Sequence, residues 1–146
     1  MAFDIGEVVI GVAVSDDRHV LATPLVPIVR NEGSLALGSF RRLFEEYMPE
    51  RVLVGIPRQA DKGLSQPARR IKAFIRKLGL HFPDILFELC DERLSTWSVK
   101  EKYARLALTK NNGEMNLDSF SAMELLEDYF KEKGQAPLGE DPGITP

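Results

Sequence analysis

The first sixteen residues constrain the fold more than any other stretch. Met1-Ala2-Phe3-Asp4-Ile5-Gly6 runs at once into Val8-Val9-Ile10-Gly11-Val12-Ala13-Val14-Ser15-Asp16. Two apolar runs separated by one glycine read as two strands joined by a tight turn, because glycine tolerates dihedrals that other residues avoid. The first strand ends at Asp4 and the second spans Val8 to Val14. Only three residues precede Asp4, so the first strand reads as clipped on its N-terminal side. A strand that delivers a carboxylate, with a glycine two residues on, presents an acid at the edge of a sheet. An Asp-x-Gly string alone is most often a plain turn; two further acidic sites downstream give this one weight.

The rest of the chain alternates. A third strand, about Val20 to Val29, carries Pro24 and Pro27 and reads as an edge strand, since proline cannot donate to a ladder. Asn31 to Ser34 has helix-start chemistry, and Leu35, Leu37, Phe40, Leu43, Phe44 and Tyr47 recur at helical spacing up to Pro49. Arg51 to Ile56 reads as a buried parallel strand ended by Pro57. A second helix buries Ile71, Phe74, Ile75 and Leu78, is ringed by basic residues, and is expected to stop at Gly79. Ile85 to Cys90 is a fifth strand, ended by Asp91-Glu92-Arg93, with Cys90 expected to be buried. Ser95 or Thr96 caps a third helix to about Leu108, in which Trp97 and Tyr103 read as packing residues. A last helix starts near Asn116. Strands first, then helix and strand in alternation, give an α/β domain with a mixed sheet and helices on its faces. The domain spans residues 1–133, and 134–146 reads as a loose tail.

Composition narrows the function. The chain has 146 residues, enough for one domain with a real core. No apolar run approaches the roughly 20 residues of a membrane helix, no signal peptide is recognisable, and Cys90 is alone. These features point to a cytoplasmic protein. The net charge of −3 argues against a dedicated nucleic-acid coat. It is compatible with a nuclease whose acidic site is neutralised by bound metal. His19 and His81, far apart, speak against a histidine-based zinc site or a Ser/His/Asp triad.

Three acidic sites fall at the ends of elements. Asp4 closes strand one, Asp91 and Glu92 close strand five, and Asp118 stands in the first turn of the last helix. Parallel strands present their C-terminal ends on one edge, where open α/β sheets bind ligands. Carboxylates gathered there suit Mg²⁺ or Mn²⁺, hard cations that prefer oxygen. Two such ions about 3.5–4 Å apart activate water and stabilise the leaving oxygen of a phosphodiester. Each site also has a bland reading. Asp118 suits a helix dipole, Asp91-Glu92-Arg93 suits a surface turn, and Arg69-Arg70-Lys72 with Arg76-Lys77 suits a solvated helix face.

Taken together, Asp4-Ile5-Gly6, Ile10 to Asp16, Ala22 with Pro24-Leu25, Val54-Gly55-Ile56-Pro57, Asp91 to Thr96, and Asp118 with Ala122 resemble the YqgF/RuvX family. Its members are described as Holliday junction resolvase-like proteins and as pre-16S rRNA nucleases. The likeness covers roughly residues 3–130. It implies a ribonuclease H-like fold: a five-stranded mixed sheet, antiparallel in strands 1–3 and parallel in 4–5, with helices on both faces. It also implies a divalent-metal nuclease for structured nucleic acid, either precursor rRNA or branched DNA, with ribosomal particles as further partners. Carried over by position, Asp4, Glu92 and Asp118 are the catalytic acids and metal ligands, with Asp91 as a further candidate. Arg93 and Thr96 orient carboxylates or meet phosphate. The backbone would be gripped by Arg58 and Lys62 in the loop after strand four and by Arg69 and Arg70 on the second helix. A resolvase would act as a homodimer to cut symmetrically, whereas an rRNA-trimming enzyme need not.

The chain departs from the family where phosphates would be met. Glu7, Val8 and Val9 follow Gly6 in place of basic residues, and a single Lys110 precedes Asn111 to Asn116 where the family is lysine-rich. Basic side chains supply most non-specific affinity, so weaker or altered substrate binding is expected. A non-catalytic nucleic-acid or ribosome-associated module is the alternative. A nucleotide-handling fragment of the actin-like superfamily, which also opens with Asp-x-Gly, is disfavoured because that fold needs two large domains.

Overall fold

The computed structural model describes residues 1–31, 35–57, 65–92 and 117–132, with the backbone only at 92, 117 and 118. Within them, β1 (Ala2–Ile5) and β2 (Val9–Ser15) pair antiparallel, with Asp4 opposite Gly11. β3 (Ala22–Val29) pairs antiparallel with β2. β4 (Arg51–Pro57) and β5 (Leu86–Glu92) add in parallel beside β1. The sheet order is β3-β2-β1-β4-β5. The expected mixed sheet is therefore present, with β3 at an edge as its prolines require.

Two helices, α1 (Leu37–Tyr47) and α2 (Gln66–His81), cover one face. There Phe3, Ile10, Val12, Val52 and Val54 of the strands meet Phe40, Phe44, Ile71, Phe74 and Leu78 of the helices. The other face is covered by α3 (Leu117–Glu132), whose Phe120, Ala122, Met123, Leu126 and Phe130 pack on Ala2, Ala13, Ala22 and Leu53. Three alanines on the strands and one on the helix leave little between sheet and helix backbone. α3 runs away from the Asp4 edge: Ser119 bonds Val12 in mid-strand, and Phe130 stacks on His19 in the β2–β3 turn.

Several boundaries differ from the pattern. α2 does not stop at Gly79. It continues to His81, because Phe82 N–H still bonds Leu78 C=O and Pro83 then ends the run. A side chain at position 79 would meet only ordinary van der Waals contact with Phe87, so this glycine marks no turn. The start of α2 is made by Ser65, whose hydroxyl accepts from Ala68 N–H ahead of Pro67 in the first turn. α1 starts without a side-chain cap, at Ala36 in the left-handed region, so the chemistry of Asn31–Ser34 is not its N-cap. β5 extends through Asp91 and Glu92, which pair with Ile56 and Pro57 instead of forming a turn. Cys90 is half-buried, at the margin of the α3 cluster. The predicted third helix from Ser95 to Leu108, with Trp97 and Tyr103, the loop before Asp118, and the tail at 134–146 lie outside the described residues.

Candidate functional site at the C-terminal edge of the sheet

Asp4 is placed by the alternation of β1. Ala2 packs in the α3 cluster and Phe3 in the opposite one, so Asp4 falls on the α3 face. Phe3 pairs with Val54, so Asp4 stands one step further toward the C-terminal end of the parallel strands. On β5, Phe87 and Leu89 pack toward α1 and α2, while Cys90 packs toward α3. Position 92 thus shares the parity of Cys90, on the Asp4 face, and lies opposite Pro57 at the same edge. One strand intervenes, which puts β1 and β5 about 10 Å apart. Asp91 has the opposite parity and is exposed, so the structure does not bring it together with Asp4.

The turn after Asp4 is tightly held. Gly6 N–H bonds Val9 C=O at 3.0 Å, and a Cβ on Gly6 would stand 2.6 Å from that same oxygen. Only glycine lets the backbone approach this closely. Arg30, immediately after β3, donates from Nη1 to Gly6 C=O at 2.7 Å, and its guanidinium lies 4.7 Å from the Phe74 ring centre. Its own N–H bonds Val8 C=O. A cation therefore does stand at this turn, supplied by β3 and not by the residues after Gly6. Its signal in the sequence is a basic residue directly after an apolar strand.

Ser119 is the second residue that sequence reasoning missed. It is a buried polar side chain, 2% exposed, beside the Asp118 position in the first turn of α3. Its hydroxyl accepts from Val12 N–H at 3.2 Å and donates to Leu25 C=O at 2.7 Å. Ser119, Ala122, Met123, Leu126 and Phe130 form one helical stripe, so a serine in an apolar row was the available signal.

The proposed phosphate-binding residues divide. Arg69 and Arg70 are exposed near the start of α2, at the Asp4 edge but behind the sheet, on the face opposite α3. Arg58, Lys62, Arg93 and Thr96 lie outside the described residues. At the far edge of the α3 face, Arg51 bonds the Tyr129 hydroxyl at 2.6 Å and approaches Glu88 at 3.6 Å. That partly exposed ion pair contributes about 1 kcal/mol at most. On the opposite face, at the same end of the sheet and away from Asp4, the ends of α1 and α2 line a shallow groove with Arg41, Phe44, Glu45, Met48, His81 and Phe82.

Asp4 and the acidic residues at positions 92 and 118 carry oxygen donors, the kind that suits a hard divalent cation. Among the described side chains no three acidic, histidine or cysteine groups converge on a metal. Positions 92 and 118, on which such a site would draw, are described by backbone alone.

A five-stranded mixed sheet in this order, with helices on both faces and acids at the C-terminal ends of its parallel strands, is the ribonuclease H-like arrangement. In keeping with this, the fold superposes on a solved structure of Thermus thermophilus RuvC with a TM-score of 0.52. That match covers 93% of this chain and 96% of the other at 11% identity, a likeness of fold. The family model for RuvX, described as Holliday junction resolvase, matches residues 1–132, and the chain belongs to that family. Among its relatives are proteins named "Putative pre-16S rRNA nuclease" from Natranaerobius thermophilus and Cronobacter sakazakii. The first is 30% identical over 130 residues, covering 89% of this chain and 92% of the relative. The second is 35% identical over 139 residues, covering 92% and 96%. No helix among the described residues is long and apolar enough to cross a membrane.

Proposed function

We propose that this chain is a divalent-metal-dependent nuclease that hydrolyses phosphodiester bonds in structured nucleic acid, with the ends of precursor 16S rRNA as its substrate. The observation that carries the reading is the register. It sets Asp4 and position 92 on one face at the C-terminal edge, while α3 begins on that same face with position 118 in its first turn. The names of the relatives supply the substrate class.

Asp4, Glu92 and Asp118 are the catalytic acids and the metal ligands. Bound among them, Mg²⁺ or Mn²⁺ supplies Lewis-acid chemistry that favours hydroxide at neutral pH and stabilises the leaving oxygen. Asp4, on the rigid end of β1, and Asp118, at the start of α3, would hold the metal at the sheet edge, and Glu92 completes that set or orients the attacking water. Arg58, Lys62, Arg93 and Thr96 meet the backbone from the flanking loops. Arg69 and Arg70, behind the sheet, serve a strand that wraps around its edge. Asp91, on the opposite face, is left out of the metal set. The protein works in the cytoplasm, on RNA or on ribosomal particles.

The family's description as Holliday junction resolvase supports a second reading, symmetric cleavage of branched DNA by a homodimer. The exposed Glu7 and Val8 at the turn after Asp4, where cations would grip phosphate, favour a third, a binding module without cleavage.

Cleavage of labelled precursor rRNA and of a synthetic four-way junction, with Mn²⁺, Mg²⁺ or chelator, separates the three. Metal-dependent cutting of rRNA by the wild type, lost in Asp4→Asn at unchanged thermal stability, is expected. Equal cutting by both proteins would remove Asp4 from the site. Cutting of the junction alone would move the substrate to DNA. Binding without cutting would leave the module.

A further inference from the structure

We propose that Ser119 is a positioning residue that sets the separation between the two carboxylate-bearing segments at Asp4 and Asp118. This rests on the metal-site reading above and adds to it the element that holds the site together.

The argument starts in the sheet. Between β2 and β3 the register passes from Ile10–Ile28 to Val12–Leu25. That is two residues of advance on β2 (12 − 10) against three on β3 (28 − 25), a bulge on the edge strand. The extra stretch holds Val26 and Pro27, and proline has no N–H to give the ladder. Where a simple pair would bond directly, the Ser119 hydroxyl carries the connection from Val12 N–H to Leu25 C=O. It takes the place in the ladder that a bridging water would otherwise fill.

The consequence reaches both acids. Asp4 pairs with Gly11, Gly11 is bonded to Val12, Val12 is bonded to the Ser119 hydroxyl, and Ser119 follows Asp118. Through this short path the start of α3 is locked in height and azimuth over β2, next to the residue that pairs with Asp4. The apolar stripe below holds α3 against the sheet but permits sliding, because dispersion and hydrophobic contacts are not directional. Hydrogen bonds of fixed geometry remove that freedom.

The test measures Mn²⁺ binding to the full chain without nucleic acid, by the loss of the free-ion paramagnetic resonance signal, together with thermal stability. Four variants are compared with the wild type. Ser119→Ala removes the hydroxyl. Ser119→Cys keeps the shape of the side chain, slightly enlarged, with a much weaker hydrogen-bonding group, in case the alanine protein fails to fold. Leu78→Ala, a fully buried α2 residue on the opposite face, is a stability control. Asp4→Asn marks the site. Both Ser119 variants should bind Mn²⁺ about tenfold more weakly, the lower end of what losing a supporting group outside the ligand set does, although the Ser119 hydroxyl acts through the backbone of β2 and β3 and touches no ligand. Leu78→Ala should lose as much thermal stability or more and bind Mn²⁺ as the wild type does. Wild-type affinity in both Ser119 variants would overturn the inference, as would an equal loss of affinity in Leu78→Ala. Both results leave the nuclease reading standing. If wild type and Asp4→Asn bind Mn²⁺ alike, the metal-site reading falls, and this inference with it.

Discussion

Gly6 shows how little freedom the site leaves to a single residue. The Val9 carbonyl that accepts from Gly6 N–H stands where a Cβ would go, at 2.6 Å, and it is backbone inside a strand. Something must shift, and the nearest parts able to move are the turn itself and Asp4 two residues before it. Gly6→Ala should cost roughly 1–3 kcal/mol of stability, the range for overpacking a fitted site. It should lower metal-dependent cleavage by a larger factor than a stability loss of that size explains. Denaturant unfolding and single-turnover cleavage measured on the same preparation check this. A variant with wild-type stability would show that the turn has slack. Gly6 was legible from the sequence, since a glycine between two apolar runs demands a turn. Arg30 was not. Its bond to the Gly6 carbonyl joins residues 24 positions apart, and a basic residue directly after an apolar strand does not by itself name that partner.

At the scale of elements, α3 covers the face of the sheet that carries Asp4. It brings position 118 to the sheet, and its close approach depends on Ala2, Ala13, Ala22 and Ala122, all buried. Ala13→Leu would drive a branched side chain between β2 and the helix. The expected cost is about 1–3 kcal/mol of stability, with α3 displaced from the sheet and cleavage reduced in proportion to that displacement. Hydrogen exchange of α3 amides should rise while that of α1 and α2 on the opposite face stays as in the wild type. Equal acceleration on both faces would mean the two clusters unfold as one. The strands and the first two helices were readable because their apolar periods are unambiguous. The errors fell at ends. Gly79 resembled a stop signal, but the helix runs past it to His81, where Phe82 N–H still bonds Leu78 C=O ahead of Pro83. Asp91-Glu92 resembled a turn, but pairing with Ile56 and Pro57 extended β5 through both. In each case backbone hydrogen bonds, within the helix for α2 and to β4 for β5, outweighed a local preference worth about 1 kcal/mol or less.

For the whole molecule, the start of the chain links stability to pH. The Met1 amine is largely buried, 3.4 Å from the Arg51 carbonyl, and burial pulls its pKa down to about 6 from an ordinary 8.0. A base whose folded pKa is lowered penalises the folded state when protonated. The penalty is full below about pH 6, shrinks between 6 and 8, and is absent above 8. Unfolding free energy should therefore rise across that window, by an amount on the order of 2–3 kcal/mol. Acetylating the amine should flatten the rise, and a profile unchanged by acetylation would assign the effect to other groups.

The sequence alone determined the number and order of strands, the mixed sheet, the family, and the candidate acids at the ends of elements. These follow from periodicity, turn residues and motif spacing, all carried by near neighbours in the chain. Only the tertiary structure decided which of the candidate positions share a face of the sheet. The parity of β5 sets position 92 on the Asp4 face and Asp91 on the other, and that follows from strand pairing and the two packed faces. It also showed that Arg69 and Arg70 lie behind the sheet, that Arg30 holds the turn after Asp4, and that Ser119 bridges the bulge under α3. Those relations join residues distant in the chain, and their partners are chosen by the geometry of the assembled sheet.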